Sequence, residues 1–214
     1  MSATPLVIAI DGPAASGKGT LARRIAAHFR LRHLDTGLTY RAVAERVLAE
    51  NIDPADVAAV VALAGKLDFS RLDATLLSRH DIGEAASVIA IMPPLRRALV
   101  EKQREFARAA PGAVLDGRDI GTIVLPDAPA KLYVTASPEA RAARRALEIA
   151  AAGDHIDESV VLEDLRRRDR RDAGRTDSPM RPAADAFLLD TTDLDIEAAF
   201  QAAVDYVSRA IAGR

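Results

Sequence analysis

The chain has no cysteine and no tryptophan, and only five Phe and three Tyr among 214 residues. Without cysteine there are no disulfides and no thiolate metal sites, and the composition suits a reducing cytoplasm. Charge of one sign is also missing. Twenty-nine Lys and Arg against 31 Asp and Glu leave a net charge of −2. No global field therefore draws in nucleic acid, and any polyanion must be bound by local clusters. Hydrophobic runs long enough for a membrane are absent too. The run Leu6-Val7-Ile8-Ala9-Ile10 is too short for a span or a signal peptide, and Met1-Ser2-Ala3-Thr4-Pro5 carries no basic charge ahead of it. A cytoplasmic protein is expected. What is present is 49% apolar and 28% charged residues, in a length that suffices for one α/β domain with a sizeable core and a small lid.

Short apolar runs read as buried parallel strands at residues 6–10, 113–115, 131–134 and 186–189, with His33-Leu34-Asp35 as a weaker fifth. Helical patterns lie between them, at residues 39–49, 54–66, 94–109, 138–151, 157–172 and 196–211. Asp53 reads as the cap of the second, with Pro54 at its first position. Alternation of this kind predicts a doubly wound, five-stranded parallel sheet with helices on both faces. Ligands of such sheets sit beyond the carboxyl ends of the strands. Polar residues stand at each of those ends: Asp11, Asp35-Thr36-Gly37, Asp116-Gly117-Arg118-Asp119, Thr135-Ala136-Ser137 and Asp190-Thr191-Thr192-Asp193.

The first strand runs into Gly12-Pro13-Ala14-Ala15-Ser16-Gly17-Lys18-Gly19-Thr20, and a helix-forming stretch follows. Strand, Gly-rich turn and helix in that order build an anion cradle from backbone N–H groups and the positive end of the helix dipole. Gly12, Gly17 and Lys18 stand where a phosphate-binding loop needs them, and Lys18 can reach the β- and γ-phosphates of a nucleotide. One position departs from the strict pattern. Gly19 follows Lys18 where a Ser or Thr usually ligates Mg²⁺, and the hydroxyl comes one step later at Thr20. No direct protein ligand to the metal is therefore expected. Phosphates and water would hold Mg²⁺, with Asp116 able to act through a water.

Arginines suggest what accepts the phosphate. Arg41 lies one helical turn past Thr36-Gly37, Arg118 sits in the Asp-Gly-Arg-Asp turn, and Arg166-Arg167-Arg168-Asp169-Arg170-Arg171-Asp172 leads to Arg175. Positions 168, 172 and 175 share one face if the helix persists. Transfer between a triphosphate and a phosphate acceptor brings two anions together, and fixed guanidinium groups offset their repulsion. An Arg-rich segment that folds over the site also keeps water out. On its own the Arg run reads better as a solvated helix face laced with Arg–Asp pairs, and only beside the phosphate loop does the phosphate-binding reading prevail. A nucleic-acid patch is a third reading, weakened by the interleaved Asp169 and Asp172 and by the lack of nearby aromatics.

These motifs together resemble those of the bacterial cytidylate kinases over nearly the whole chain. Ile10-Asp11-Gly12-Pro13 through Thr20, Leu34-Asp35-Thr36-Gly37 with Tyr40-Arg41, Asp116-Gly117-Arg118-Asp119-Ile120-Gly121-Thr122 and Pro126-Asp127-Ala128-Pro129 carry the resemblance, with Arg168-Asp169 through Arg175 and Pro182-Ala183-Ala184-Asp185-Ala186. It implies a phosphotransferase that moves the γ-phosphoryl of ATP, with Mg²⁺, to CMP or dCMP. Lys18, Arg118, Arg168 and Arg175 would be its catalytic cations, and Gly12 through Thr20 would hold ATP. Thr36 and Arg41 would contact the acceptor, Arg41 at its phosphate. Arg118 and Arg175 would hold that phosphate and the group in transfer, and Arg168 and Asp172 the ribose. Ser87, Arg96 and Asp119 would read cytosine: Asp119 and Ser87 accept from its amino group, Arg96 donates to its ring acceptors, and uracil would turn a carbonyl against Asp119.

By the same resemblance the chain is one domain. Its core would span about 1–35, 110–150 and 184–214, the acceptor region about 36–109 and the lid about 151–178. Its partners would be ATP and CMP or dCMP, with no nucleic acid, no membrane and a monomeric state. Two departures stand out. Thr36 replaces the family's usual Ser. Residues 69–83 are too few for the small antiparallel sheet that usually closes over the acceptor, so residues 70–81 are expected to form at most a hairpin or loop. Other acceptors (UMP, AMP or shikimate) and a nucleotide-driven switch or ATPase remain as alternatives.

Overall fold

The computed structural model describes residues 5–69, 72–77, 79–151 and 153–212. Residues 1–4, Ser70, Arg71, Ser78, Ala152, Gly213 and Arg214 lie outside them. Five parallel strands, β1 (Leu6–Asp11), β2 (Arg32–Asp35), β3 (Gly112–Gly117), β4 (Ala130–Thr135) and β5 (Phe187–Asp190), form one sheet in the order β2-β3-β1-β4-β5. The expected doubly wound sheet is thus present, including its short fifth strand at His33–Asp35.

Side chains that alternate along the central strands build two cores. Ile8 and Ile10 of β1, Val114 of β3 and Leu132 and Val134 of β4 pack under α1 (Lys18–His28) and α9 (Ile196–Ala212). Ala9, Ala113 and Leu115 face the opposite way, toward α6 (Pro93–Arg108) and a π-helical turn at Ile120–Val124. Each fully buried Ile or Leu contributes about 1.5–3 kcal/mol by leaving water.

Residues between β2 and β3 hold a third core. Val43 and Val47 of α2 (Thr36–Ala49), Val60 and Leu63 of α3 (Val57–Lys66), Ile82 and Ile89 of α5 (His80–Ile89), and Leu95 and Leu99 of α6 pack together. Between α3 and α5 lies the single turn α4 (Ala74–Leu77). The expectation of a hairpin or loop over residues 70–81 is corrected here. Asp73 accepts from the backbone N–H groups of Thr75 and Leu76 and starts α4, and Ile82, Ala86 and Ile89 give α5 a buried stripe at helical spacing. Two helix starts also differ from expectation. Asp56, not Asp53, caps α3 by accepting from Ala59 N–H; Asp53 closes only the turn before it, on Ala55 N–H. α2 begins at Thr36, three residues early, because Asp35 at the strand end is itself the cap.

Toward the carboxyl end, α7 (Pro138–Ala151) and α8 (Glu158–Ala173) pair around Ala142, Val161 and Leu165, with Ala14 and Ala15 of the Gly-rich loop against them. Arg141 of α7 ties this pair down. It donates to the carbonyls of Ala136 and Ala14 and bonds Asp169 of α8 at 2.7 Å. The Gly-rich loop, the segment just past β4 and α8 are thereby joined through one buried guanidinium.

Candidate active site

The loop from Gly12 to Lys18 leaves β1 at the carboxyl edge of the sheet. Gly12 is required sterically: at φ +148° a Cβ there would lie 2.0 Å from the Val134 carbonyl oxygen. Ala15 (φ +58°) and Gly17 (φ +85°) also take positive φ, the alternation that turns successive N–H groups inward into an anion nest. Gly17 is the N-cap residue of α1, so the helix opens at Lys18 with no side chain over its free N–H groups. Ser16 through Thr20 line a cavity of about 630 Å³, whereas Gly12 and Pro13 are buried beneath it.

Strand register places the carboxylates. Asp35 of β2 and Asp116 of β3 are register partners, and Ile10 pairs with Asp116 on the other side. Burial, and then the charge of Asp116, raise the Asp35 carboxyl above its ordinary value, against the pull of Lys18. His33 Nε2 lies 2.7 Å from Asp116 Oδ1. Asp116 Oδ2 would be 3.7 Å from a Cβ on Gly19, which puts that carboxylate against the loop. Burial and the nearby Arg118 push Lys18 down to about 8, with Asp116 and Asp35 acting the other way. Asp11 accepts from the N–H groups of Ile120 and Gly121, both at 2.7 Å, and so anchors the turn that follows Asp119. Among the described residues no group of three His, Cys, Asp or Glu is arranged to hold a metal ion directly. Two crowded carboxylates beside a phosphate nest do fit a hydrated divalent cation held through water.

Opposite the loop, the arginines converge on one carboxylate. Asp172 is 2% exposed. Its Oδ2 lies 2.9 Å from Arg118 Nε and 4.0 Å from Arg168 Nε, and its Oδ1 lies 2.5 Å from Arg175 Nη2. Burial acts to raise the Asp172 carboxyl, but Arg118, Arg175 and Arg168 outweigh it and hold it below the carboxylate range. The helix ends at Ala173, before Arg175, and Arg175 still folds back onto Asp172. Deeper in the cavity Arg96 and Asp119, both buried, pair at 2.5 Å, and Arg96 also donates to the Ala90 carbonyl.

Lys18, Thr36, Arg41, Ser87, Arg96, Arg118, Asp119, Arg168, Asp172 and Arg175 all line the same cavity. Asp116 sits just outside that lining. Three of these side chains have protein partners that the sequence did not suggest. Thr36 Oγ1 donates to the Asp116 carbonyl at 2.8 Å. Arg41 donates to the carbonyls of Leu77 and Arg79 and lies over Gly83, where a Cβ would come within 3.1 Å of its guanidinium. Ser87 Oγ accepts from Arg171 Nη1. Sequence reasoning passed over Arg171, although 168, 171, 172 and 175 form the i, i+3, i+4, i+7 stripe of one helix face. Arg141 was also missed, since no local pattern marks it, and Asp35 was read as a residue of the strand-end rim without a role.

A parallel sheet of this order, with a phosphate nest after its central strand and cations facing the nest, defines the P-loop kinase class of fold. Solved structures with that fold are a protein of undescribed function from Eubacterium ventriosum (TM-score 0.55, 14% identity, 95% of this chain and 98% of that one) and shikimate kinase from Bacteroides thetaiotaomicron (TM-score 0.52, 9% identity, 96% and 98%). The family model for cytidylate kinase matches residues 8–209. Cytidylate kinases of Brucella suis and Brucella ovis are 59% identical over 208 residues, covering 97% of this chain and 95% of each relative. The chain belongs to the cytidylate kinase family.

Proposed function

We propose that this cavity transfers the γ-phosphoryl group of ATP to CMP or dCMP, giving ADP and CDP or dCDP. The observation that carries the reading is the gathering of Arg118, Arg168 and Arg175 on Asp172 in the same cavity as Lys18 and the nest. The loop N–H groups and Lys18 bind the β- and γ-phosphates. Asp116 and Asp35 would hold Mg²⁺ through water, where it would supply further positive charge to the triphosphate. Arg118 and Arg175 turn part of their hydrogen bonding from Asp172 to the acceptor phosphate and the group in flight, and Arg168 adds its charge beside them. An oxygen of the acceptor phosphate attacks the γ-phosphorus in line, and the bond to the β–γ bridging oxygen breaks. The acceptor is already an anion, so no side chain need remove a proton.

In this reading residues 36–109 bind the acceptor, residues 151–178 close over it, and the protein acts as a cytoplasmic monomer. Asp119 accepts from the cytosine amino group while Arg96 holds Asp119 and donates to the ring. Nε of Arg96 and of Arg175 are buried and make no hydrogen bond within the protein. Arg41 reaches the acceptor phosphate by leaving the Leu77 carbonyl, and Asp172 and Arg168 flank the ribose. Thr36 contributes by position, since its proton is engaged on Asp116. Among the described residues no helix is long and apolar enough to cross a membrane.

A coupled assay of ADP release with CMP, dCMP, UMP, AMP, shikimate, single-stranded RNA or no acceptor tests the assignment. Fast release with CMP and dCMP and slow release otherwise is expected. Equal rates with and without CMP would make the protein an ATPase and end the proposal.

A further inference from the structure

The contact between α8 and α5 is not needed to explain the chemistry, yet it joins two regions 84 residues apart in sequence. Arg171 Nη1 donates to Ser87 Oγ. Ser87 is buried and lies one helical turn beyond Gly83, against which the Arg41 guanidinium rests. Helix α5 packs on α2 through Ile82, Ala86 and Ile89, and beyond that core it meets two arginines, Arg41 of α2 at Gly83 and Arg171 of α8 at Ser87. Arg171 shares its face of α8 with Arg168 and Asp172. Whatever orders that face orders the contact with Ser87.

We infer that Arg171 is a positioning residue that sets base specificity through Ser87. This rests on the reading of the cavity as the acceptor-nucleotide site. A hydroxyl has one proton and two lone pairs. A charged donor on one lone pair makes Ser87 a poorer acceptor and, by polarisation, a better donor. Ser87 then presents O–H to the base, in place of the lone pair that the family resemblance implied it would offer to the amino group. The partner it selects is a ring nitrogen carrying a lone pair beside an amino group, the pattern cytosine shows at N3 and N4. Uracil places an N–H at that ring position and would oppose the Ser87 proton. Asp119 accepts from the amino group in the same pocket, so the two residues read adjacent positions with opposite polarity. The lid helix thus supports discrimination as well as water exclusion, because Ser87 is oriented only when α8 is seated against α5.

Arg171→Met keeps the length of the side chain and removes the donor. Roughly a tenfold rise in KM for CMP is expected, with the CMP-over-UMP preference falling by a similar factor and KM for ATP little changed. In a Ser87→Ala background the same change should move KM for CMP less than about twofold, because the two residues act as one unit. Arg171→Lys should recover part of the preference. Additive effects of Arg171→Met and Ser87→Ala, with wild-type preference for CMP intact, would overturn this inference and leave the active-site reading standing. A coupled pair whose loss weakens CMP and UMP equally would also overturn it. A wild-type enzyme that phosphorylates CMP and UMP alike would remove the base-reading role of the cavity, and this inference with it.

Discussion

Replacing Asp172 by Asn should unsettle the arginine cluster without changing its shape. The wild-type carboxylate is 2% exposed and serves three guanidinium groups. Taking one member from a buried ion pair costs about 3–5 kcal/mol, because the partner charge is left uncompensated. Arg168 is 39% exposed, so solvent screens its share. Arg118 and Arg175 are 14% and 9% exposed and are not relieved in that way. The amide oxygen of Asn still accepts one hydrogen bond. A loss of about 3 kcal/mol follows, near the lower end of that range. For a chain of this length it corresponds to a fall in Tm of roughly 6–12 °C.

The folded carboxyl is held below its unfolded value, so its contribution to stability is present above the unfolded pKa and lost as pH falls through the folded one. The gap between wild type and variant should therefore be full at neutral pH and narrow on acidification below about pH 4. Sulfate supplies a second check. An anion placed among the three guanidinium groups substitutes for the missing negative charge, so sulfate should raise the melting temperature of Asp172→Asn more than that of the wild type. Thermal melts at several pH values, with and without sulfate, read all of this. Identical melting and identical sulfate shifts would refute the idea that Asp172 gathers the arginines.

Further outcomes follow from the other groups in the cavity. Lys18→Ala should lower turnover by at least ~10²-fold with an unchanged circular dichroism spectrum; near-normal turnover would remove Lys18 from the chemistry. Asp119→Asn keeps an acceptor for Arg96 but offers N–H to the base, so the ratio of kcat/KM for CMP over UMP should fall roughly ten- to a hundredfold while KM for ATP holds. Loss of both acceptors in equal measure would contradict base reading. Lys18 in the free protein loses its proton near pH 8, and phosphate favours the charged form. ATP affinity measured by calorimetry should therefore decline about tenfold per pH unit above that point, and an affinity flat to pH 10 would place the Lys18 ammonium outside the phosphate site.

Much of this architecture is legible in the chain because local and global signals agree. The run Leu6–Ile10 is apolar on both faces, as a central parallel strand must be, and Gly12 and Gly17 fall where the turn needs positive φ. The stripe 168, 172, 175 announces an inward helix face even though the helix stops at Ala173. Residues 74–81 were misjudged because their helicity depends on packing: α4 is one turn long, and α5, which begins at His80, acquires its place from Ile82, Ala86 and Ile89 against α2. Arg171 and Arg141 escaped for a related reason. An arginine whose partner lies 84 residues away on another helix looks, in one dimension, like any solvated cation. The register that sets Asp35 beside Asp116 is likewise a property of strand order, which no local pattern encodes.

Cytidine and adenosine joined through five phosphates would span both halves of the cavity at once. If fixed guanidinium groups bring a nucleoside triphosphate and a pyrimidine monophosphate together across the nest, this bisubstrate compound should bind more tightly than ATP or CMP alone and compete with each of them. Competition with ATP only, leaving CMP binding unchanged, would mean that the arginine cluster does not form the acceptor side of a phosphoryl-transfer site.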